Sequence, residues 1–204
     1  MNLIDARQSV LVLVDYQRRL MPAISRGAEL VAEAARLADV ARELGIRIIG
    51  TEQNPRGLGP NEEMVRQRCD MTLAKINFDA CADGLVDVLR GAGENPPRDV
   101  VIAGCEAHVC LLQTALGLLQ AGLNVWVVAQ ASGSRLAENH DLAMQRLRQA
   151  GAGIVSVEMV AFEWLRSSEH ERFKRVLKVL KEPWADRPDD ACVALEPDRR
   201  RDWR

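Results

Sequence analysis

The sequence is short of aromatic residues, lysine and histidine, and it has no long apolar run. Aromatic residues make up 4% of the 204 residues, and there are only four lysines and three histidines. The longest apolar run, Val10–Val14 with its flanks, is far shorter than the roughly 20 residues that cross a bilayer. The N-terminal residues carry an early aspartate and lack the cationic start of a secretory signal. We therefore expect no membrane partner and no secretion.

Charge and cysteine usage exclude further classes of protein. The formal net charge is -2, which gives no electrostatic basis for a nucleic-acid partner. The five cysteines are irregularly spaced without a CxxC pair, so the pattern indicates neither a disulfide framework nor a zinc ribbon, and we expect a cytoplasmic protein. The first apolar run is followed by Asp15-Tyr16-Gln17 rather than GxGxxG, which argues against a dinucleotide-binding protein.

Short apolar runs alternate with segments of helical periodicity along most of the chain. The runs predict strands at Val10–Val14, Ile46–Thr51, Met71–Lys75, Asp99–Gly104, Val125–Ala129 and Gly153–Val157. The periodic segments predict helices at 27–44, 79–90, 110–120, 137–150, 160–166 and 170–181, and the Pro/Gly-rich segment 52–60 is expected to be a loop. This alternation predicts an α/β domain over residues 1–182, with a parallel sheet covered by helices on both faces. Residues 183–204 contain three prolines and are expected to form an irregular tail.

Three chemically distinct side chains follow three of the predicted strands. Asp15 ends the first strand, Lys75 ends the third, and Cys110 begins the helix after the fourth. Because the carboxyl ends of parallel strands meet at one edge, we expect these residues to lie together. The set suits thiolate attack on an acyl carbon, in which Asp15 takes the thiol proton and later returns it to a leaving amine. Lys75 and the helix N-terminus are expected to lower the pKa of the Cys110 thiol, and backbone N–H groups of the same turn can stabilise an oxyanion.

Each of these residues also has a structural interpretation. Asp15 can cap a turn, Lys75 can be a solvated surface residue, and Cys110 can be a small core residue, which is the commoner fate of cysteine. His108 can be a ligand, but a structural hydrogen bond is the more frequent role of such a histidine. Position alone leaves these alternatives open.

Several motifs resemble the isochorismatase-like cysteine hydrolases. Asp15-Tyr16-Gln17 looks like the Asp-x-Gln strand end of that family, and residues 75–78 are similar to its Lys-x-x-Phe segment. Residues 103–110, Ala-Gly-Cys-Glu-Ala-His-Val-Cys, resemble its nucleophile turn, and residues 129–135 resemble the strand and Ser/Arg loop that follow. The segment 51–60 is similar to the branch of isochorismatase-domain-containing proteins.

The resemblance implies a three-layer α/β/α sandwich with a six-stranded parallel sheet, assembled as a homo-oligomer. It implies Asp15, Lys75 and Cys110 as the catalytic triad. It also implies a cis peptide before Glu106, with the N–H groups of Glu106 and Cys110 facing the oxyanion. For the substrate pocket, Gln17, Gln53 and Phe78 are the candidate residues.

Two departures from relatives refine the functional prediction. The nicotinamidases of the superfamily carry an Asp-x-His…His metal site after the second strand, whereas segment 51–60 here contains no histidine. We therefore expect no metal and no cofactor. Isochorismatases proper lack the cysteine, so Cys110 favours cleavage of a C–N bond in a small-molecule amide or carbamoyl compound through a thioester. The alternatives are a vinyl-ether hydrolase of the isochorismatase type and a binding or redox-sensing protein that keeps a reactive thiol.

Overall fold

The computed structural model describes residues 3–91 and 96–181, and the predicted tail 183–204 lies outside these ranges. The six strands are β1 (Ser9–Val14), β2 (Ile48–Gln53), β3 (Met71–Lys75), β4 (Asp99–Gly104), β5 (Asn124–Val128) and β6 (Gly153–Val155). The helices are α1 (Gly27–Glu43), α2 (Pro55–Leu58), α3 (Glu63–Arg66), α4 (Leu85–Arg90), α5 (Leu112–Gln120), α6 (Ala137–Gln149), α7 (Val157–Leu165) and α8 (Phe173–Lys181). Within the described ranges, no helix has the length and apolar character needed to cross a membrane.

The strands form one parallel sheet in the order β3-β2-β1-β4-β5-β6. The chain builds outward from β1 through β2 to β3 and then returns to the other side of β1 to place β4. The direction of winding therefore reverses between β1 and β4, where open α/β sheets bind their ligands. In register, Val14 lies opposite Thr51 on β2 and opposite Gly104 on β4.

Alternate residues of the central strand enter two separate apolar clusters. Leu11 and Leu13 pack in the cluster that includes residues of α1, α7 and α8, whereas Val10 and Val12 pack in the cluster that includes residues of α4, α5 and α6. Both faces of the sheet are covered, which explains why β1 is apolar at every position from Val10 to Val14 instead of alternating with polar residues. The predicted three-layer α/β/α sandwich with a six-stranded parallel sheet is thus confirmed.

The structure differs from the predicted elements mainly at their ends. The helix predicted over 79–90 is a 3-10 turn, Ala80–Asp83, followed by α4, because Gly84 between them is left-handed with φ of 95°. The segment predicted as a loop contains the end of β2 and the single turn α2. The last strand stops at Val155 because the Ser156 side chain accepts a hydrogen bond from the Met159 N–H and starts α7.

The helix predicted to begin at Cys110 is preceded by a π-helical turn over Ala107–Leu111, and α5 starts at Leu112. Cys110 therefore lies inside the π turn instead of at the first position of an α-helix. Single π turns occur frequently at functional sites, because they alter the hydrogen bonding of the helix locally.

Candidate active site

The carboxyl ends of β1 and β4 approach each other closely. The Cys105 N–H donates to the Val14 carbonyl at 2.9 Å, and a Cβ atom on Gly104 would lie 2.3 Å from the same carbonyl oxygen. Only glycine therefore fits at the end of β4. Asp15 has a left-handed backbone with φ of 56°, which turns the chain out of the sheet directly after β1. This geometry brings Asp15 beside the turn that carries Cys110.

Asp15 and Lys75 form an ion pair that is shielded from solvent. Asp15 Oδ2 lies 2.7 Å from Lys75 Nζ, and both side chains are 0% exposed. The Thr51 hydroxyl donates to the other carboxylate oxygen, Oδ1, at 2.7 Å. Among the described residues, no donor meets Asp15 Oδ2 with hydrogen-bond geometry, so this contact is an ion pair without an aligned hydrogen bond. Oδ2 can accordingly accept a proton from a third group.

Gln53 connects this pair to the thiol. Lys75 Nζ donates to Gln53 Oε1 at 2.7 Å, and Cys110 Sγ lies 4.0 Å from the same oxygen. The ammonium also contacts the carbonyl oxygens of Asn77 at 3.4 Å and Phe78 at 3.3 Å. Residues from β1, β2, β3 and the π turn thus converge at the edge predicted from the sequence.

The π turn changes the backbone hydrogen bonding around Cys110. The N–H groups of Val109 and Leu111 both donate to the Glu106 carbonyl, at 3.0 and 3.3 Å, whereas the Cys110 N–H between them makes no such bond within the described residues. The peptide bond between Cys105 and Glu106 is cis, as the resemblance implies. The role of the Glu106 and Cys110 N–H groups as an oxyanion hole stays a prediction.

The electrostatics of Cys110 differ from the expectation. Burial and the Asp15 carboxylate raise the pKa of the Cys110 thiol to about 12, although Lys75 lowers it. The predicted net lowering of this pKa is therefore wrong, because Cys110, which is 6% exposed, loses more hydration than one shared ammonium restores. With a pKa of about 12, the Cys110 thiol is neutral near pH 7.

A second group of contacts holds the turn that carries Cys110 from outside. The Glu106 carboxylate accepts hydrogen bonds from the Arg135 backbone N–H at 3.1 Å and from Arg135 Nε at 3.0 Å. His108 Nδ1 lies 2.9 Å from the Ser134 hydroxyl, which agrees with a structural role for this histidine. Both contacts tie the π turn to the loop after β5.

The three candidate substrate-binding residues occupy different environments. The Gln17 amide is buried, and both of its polar atoms are bonded to backbone groups. Its Nε2 donates to the carbonyls of Gln53 and Gly59, and its Oε1 accepts from the Gln53 N–H. Gln53 contacts the catalytic candidates directly, and the Phe78 side chain is 51% exposed. Their roles in substrate binding stay predictions.

Thr51 is a site residue that sequence reasoning did not identify. Its hydroxyl contacts Asp15 because β2 and β1 align with Thr51 opposite Val14. A threonine at the end of a buried strand carries no distinct signal in the sequence, and only the register between strands brings it to Asp15. In the part of the chain that the structure describes, no group of three or more His, Cys, Asp or Glu side chains could hold a metal ion.

Comparison with known proteins agrees with the fold and identifies the family. The family model for the isochorismatase domain matches residues 9–159. Isochorismatase domain-containing protein 2A of Mus musculus is 35% identical over 189 residues, which cover 92% of this chain and 88% of that protein. The solved structure of the MAR1 ribonuclease from Caenorhabditis elegans is 32% identical, with a TM-score of 0.83, and the match covers 91% of this chain and 95% of that one.

A second solved structure, the YcaC gene product of Escherichia coli, is described as an octameric hydrolase of unknown specificity. It has a TM-score of 0.78 at 24% identity, covering 88% of this chain and 89% of that one, which supports the fold alone. The six-stranded parallel sheet, together with the Caenorhabditis elegans neighbour, defines an isochorismatase-like α/β protein. With the family model and the mouse relative, the chain belongs to the isochorismatase family.

Proposed function

We propose that this protein is a metal-independent cysteine hydrolase that cleaves the C–N bond of a small amide or carbamoyl compound through a thioester on Cys110. The observation that carries the proposal is the solvent-free Asp15–Lys75 pair, 2.7 Å apart, with Gln53 Oε1 contacting both Lys75 and Cys110. A buried carboxylate and ammonium are costly to keep in a fold, so their position beside a thiol indicates a chemical role.

In the first half of the reaction, Cys110 Sγ forms a bond to the carbonyl carbon while its proton passes to Asp15 Oδ2. The resulting oxyanion takes hydrogen bonds from the backbone N–H groups of Glu106 and Cys110. The C–N bond then breaks, and Asp15 returns the proton to the leaving nitrogen, which departs as an amine or ammonia. The thioester remains on Cys110.

In the second half, water attacks the thioester carbon and gives its proton to Asp15. The C–S bond breaks, the thiol of Cys110 regains a proton from Asp15, and the acid product leaves. Lys75 keeps Asp15 oriented in both halves and offsets the negative charge that develops on sulfur. The raised pKa of the resting thiol favours proton transfer during attack over a preformed thiolate.

The raised thiol pKa also bears on the alternative of a redox-sensing protein. Sensor cysteines are exposed and have a low pKa, since the thiolate is the species that oxidants attack. Burial raises the pKa of Cys69 and Cys81 to about 12 and that of Cys105 further still. The four described thiols therefore all have a raised pKa, which argues against a redox-sensing role.

We also propose that the protein acts as a homo-oligomer on a small-molecule substrate. The octameric state named for YcaC supports this proposal, as do large apolar side chains that are exposed near the catalytic edge, namely Ile76, Phe78 and Leu136. A cytoplasmic location stays a prediction from cysteine usage.

The proposal is tested by incubating the protein with a library of primary amides and ureido compounds and measuring both turnover and intact mass. A mass increase localised to Cys110 is expected, and Cys110→Ala should reduce turnover at least 1,000-fold. Cys81→Ala, which removes a thiol whose hydrogen bond is to the Thr114 carbonyl, is the matched control and should keep full turnover. Full turnover by Cys110→Ala would overturn the thioester mechanism. Because one similar structure is named a ribonuclease, RNA is assayed as well. Cleavage of RNA that does not need Cys110, without any amide hydrolysis, would also overturn the proposal.

A further inference from the structure

The orientation of the Gln53 side-chain amide is set by its two neighbours. Its Nε2 donates to the Ile76 carbonyl at 2.6 Å, and its Oε1 accepts from Lys75 Nζ at 2.7 Å. A carbonyl oxygen can only accept and an ammonium can only donate, so the amide has one allowed orientation. The acceptor oxygen therefore faces the catalytic centre, and the donor nitrogen faces away from it.

This orientation bears on whether Gln53 binds substrate. The side chain is buried, and both of its polar atoms are already bonded to protein groups. The Oε1 atom also lies 4.0 Å from Cys110 Sγ, so the negative end of a carbonyl dipole faces the sulfur. These contacts favour an effect on Lys75 and Cys110 over recognition of a substrate.

We propose that Gln53 is a positioning residue that sets the protonation state of Cys110. Its neutral Oε1 atom binds the Lys75 ammonium and so holds it between Asp15 and the thiol. The neutral amide matters because a carboxylate at this position would place a second negative charge next to Asp15 and the sulfur. An apolar side chain at position 53 would leave one N–H of the Lys75 ammonium without its acceptor. That N–H could then donate to the sulfur of Cys110. The turnover test of this proposal assumes that the protein is a hydrolase, whereas the labelling test does not.

The test compares Gln53→Glu and Gln53→Met by iodoacetamide labelling of Cys110 at pH 8, located by fragment mass spectrometry. For Gln53→Glu we expect labelling at least tenfold slower than in the unchanged protein, because the added charge disfavours the thiolate. For Gln53→Met we expect labelling at least threefold faster, because the side chain keeps its length but loses the oxygen that faces the sulfur. Gln67→Glu, an exposed glutamine changed in the same way, is the control and should label at the original rate.

Labelling rates that change in opposite directions in the two variants distinguish positioning from a structural role. A structural role would change access to the sulfur, and therefore the labelling rate, in the same direction for both variants. Equal or same-direction changes would overturn the proposal. If Gln53→Glu does not fold, as judged by its circular dichroism, unchanged or slower labelling of Gln53→Met is sufficient to reject it.

A turnover measurement separates positioning from substrate binding. With a substrate found in the library screen, both variants should lower kcat at least tenfold and leave KM within threefold, because the contacts of Gln53 are with Lys75 and Cys110. A raised KM with unchanged labelling would instead make Gln53 a substrate-binding residue and reject positioning. Labelling needs no substrate, so failure of the hydrolase proposal and failure of this one are distinguishable.

Discussion

The buried Asp15–Lys75 pair predicts an unequal cost for removing each partner. In Lys75→Met, the Asp15 carboxylate keeps only the Thr51 hydroxyl as a donor among the contacts described, and its side chain remains fully buried. In Asp15→Asn, the ammonium keeps three acceptors, namely Gln53 Oε1 and the carbonyls of Asn77 and Phe78. Lys75→Met should therefore destabilise the fold more than Asp15→Asn does.

The magnitude follows from the burial. Leaving one partner of a buried pair uncompensated costs about 3–5 kcal/mol, and we expect Lys75→Met in this range. With three acceptors retained, Asp15→Asn should cost about 1–3 kcal/mol. For a domain of this size, about 3–5 kcal/mol corresponds to a fall in Tm of roughly 6–20 °C.

Urea unfolding at pH 7, followed by circular dichroism, measures both free energies, and the double variant gives the coupling between the two sites. Lys174→Met changes an exposed lysine on α8 and should alter stability by less than about 0.5 kcal/mol. The reasoning is refuted if Lys75→Met costs less than about 1 kcal/mol, or if Asp15→Asn is the more destabilising change.

Three further predictions concern alkaline stability, Thr51 and Arg135. The folded-state pKa values of Cys69, Cys81, Cys105 and Cys110 are raised, whereas unfolded thiols titrate near about 8.5. The stability contribution of these thiols is complete below that pH and is lost as the pH rises toward the pKa values of the folded state. The free energy of unfolding should therefore fall from about pH 9 upward. A flat profile from about pH 8 to about pH 10.5 would contradict this. Thr51→Val removes the donor to Asp15 Oδ1 and should cost about 1–2 kcal/mol in urea unfolding and lower kcat, whereas full activity would show that the hydroxyl does not hold the carboxylate. Arg135→Ala removes a side chain that is 62% exposed and should change stability by less than about 1 kcal/mol, because the Arg135 backbone N–H still bonds Glu106; a larger loss in thermal unfolding would contradict this screening argument.

Sequence patterns were sufficient to predict the sheet and to indicate which residues meet at its carboxyl edge. The apolar run at β1 predicted a strand buried on both faces, and the strand predicted at Met71–Lys75 has the same bounds in the structure. These elements are predictable because burial on both faces leaves a continuous apolar signal. The sequence indicates Asp15, Lys75 and Cys110 as site candidates because each lies at or after the carboxyl end of a strand, and these ends share one edge of a parallel sheet.

The details of the site depended on tertiary structure. Thr51 reaches Asp15 through the register of β1 and β2, and Gln53 reaches Cys110 from a different strand and a different turn. The helix after β4 begins with a π turn, which the periodicity of the sequence did not distinguish from an α-helix.

The protonation state of Cys110 shows most clearly what the sequence alone determined and what required the fold. The order of residues supplied a thiol, an ammonium and a carboxylate, and from these types a low thiol pKa was expected. In the folded protein, burial raises the pKa of Cys110 to about 12, since desolvation depends on everything packed around the sulfur. Residue types therefore determined which chemistry is available, whereas packing decided the charge state in which it starts.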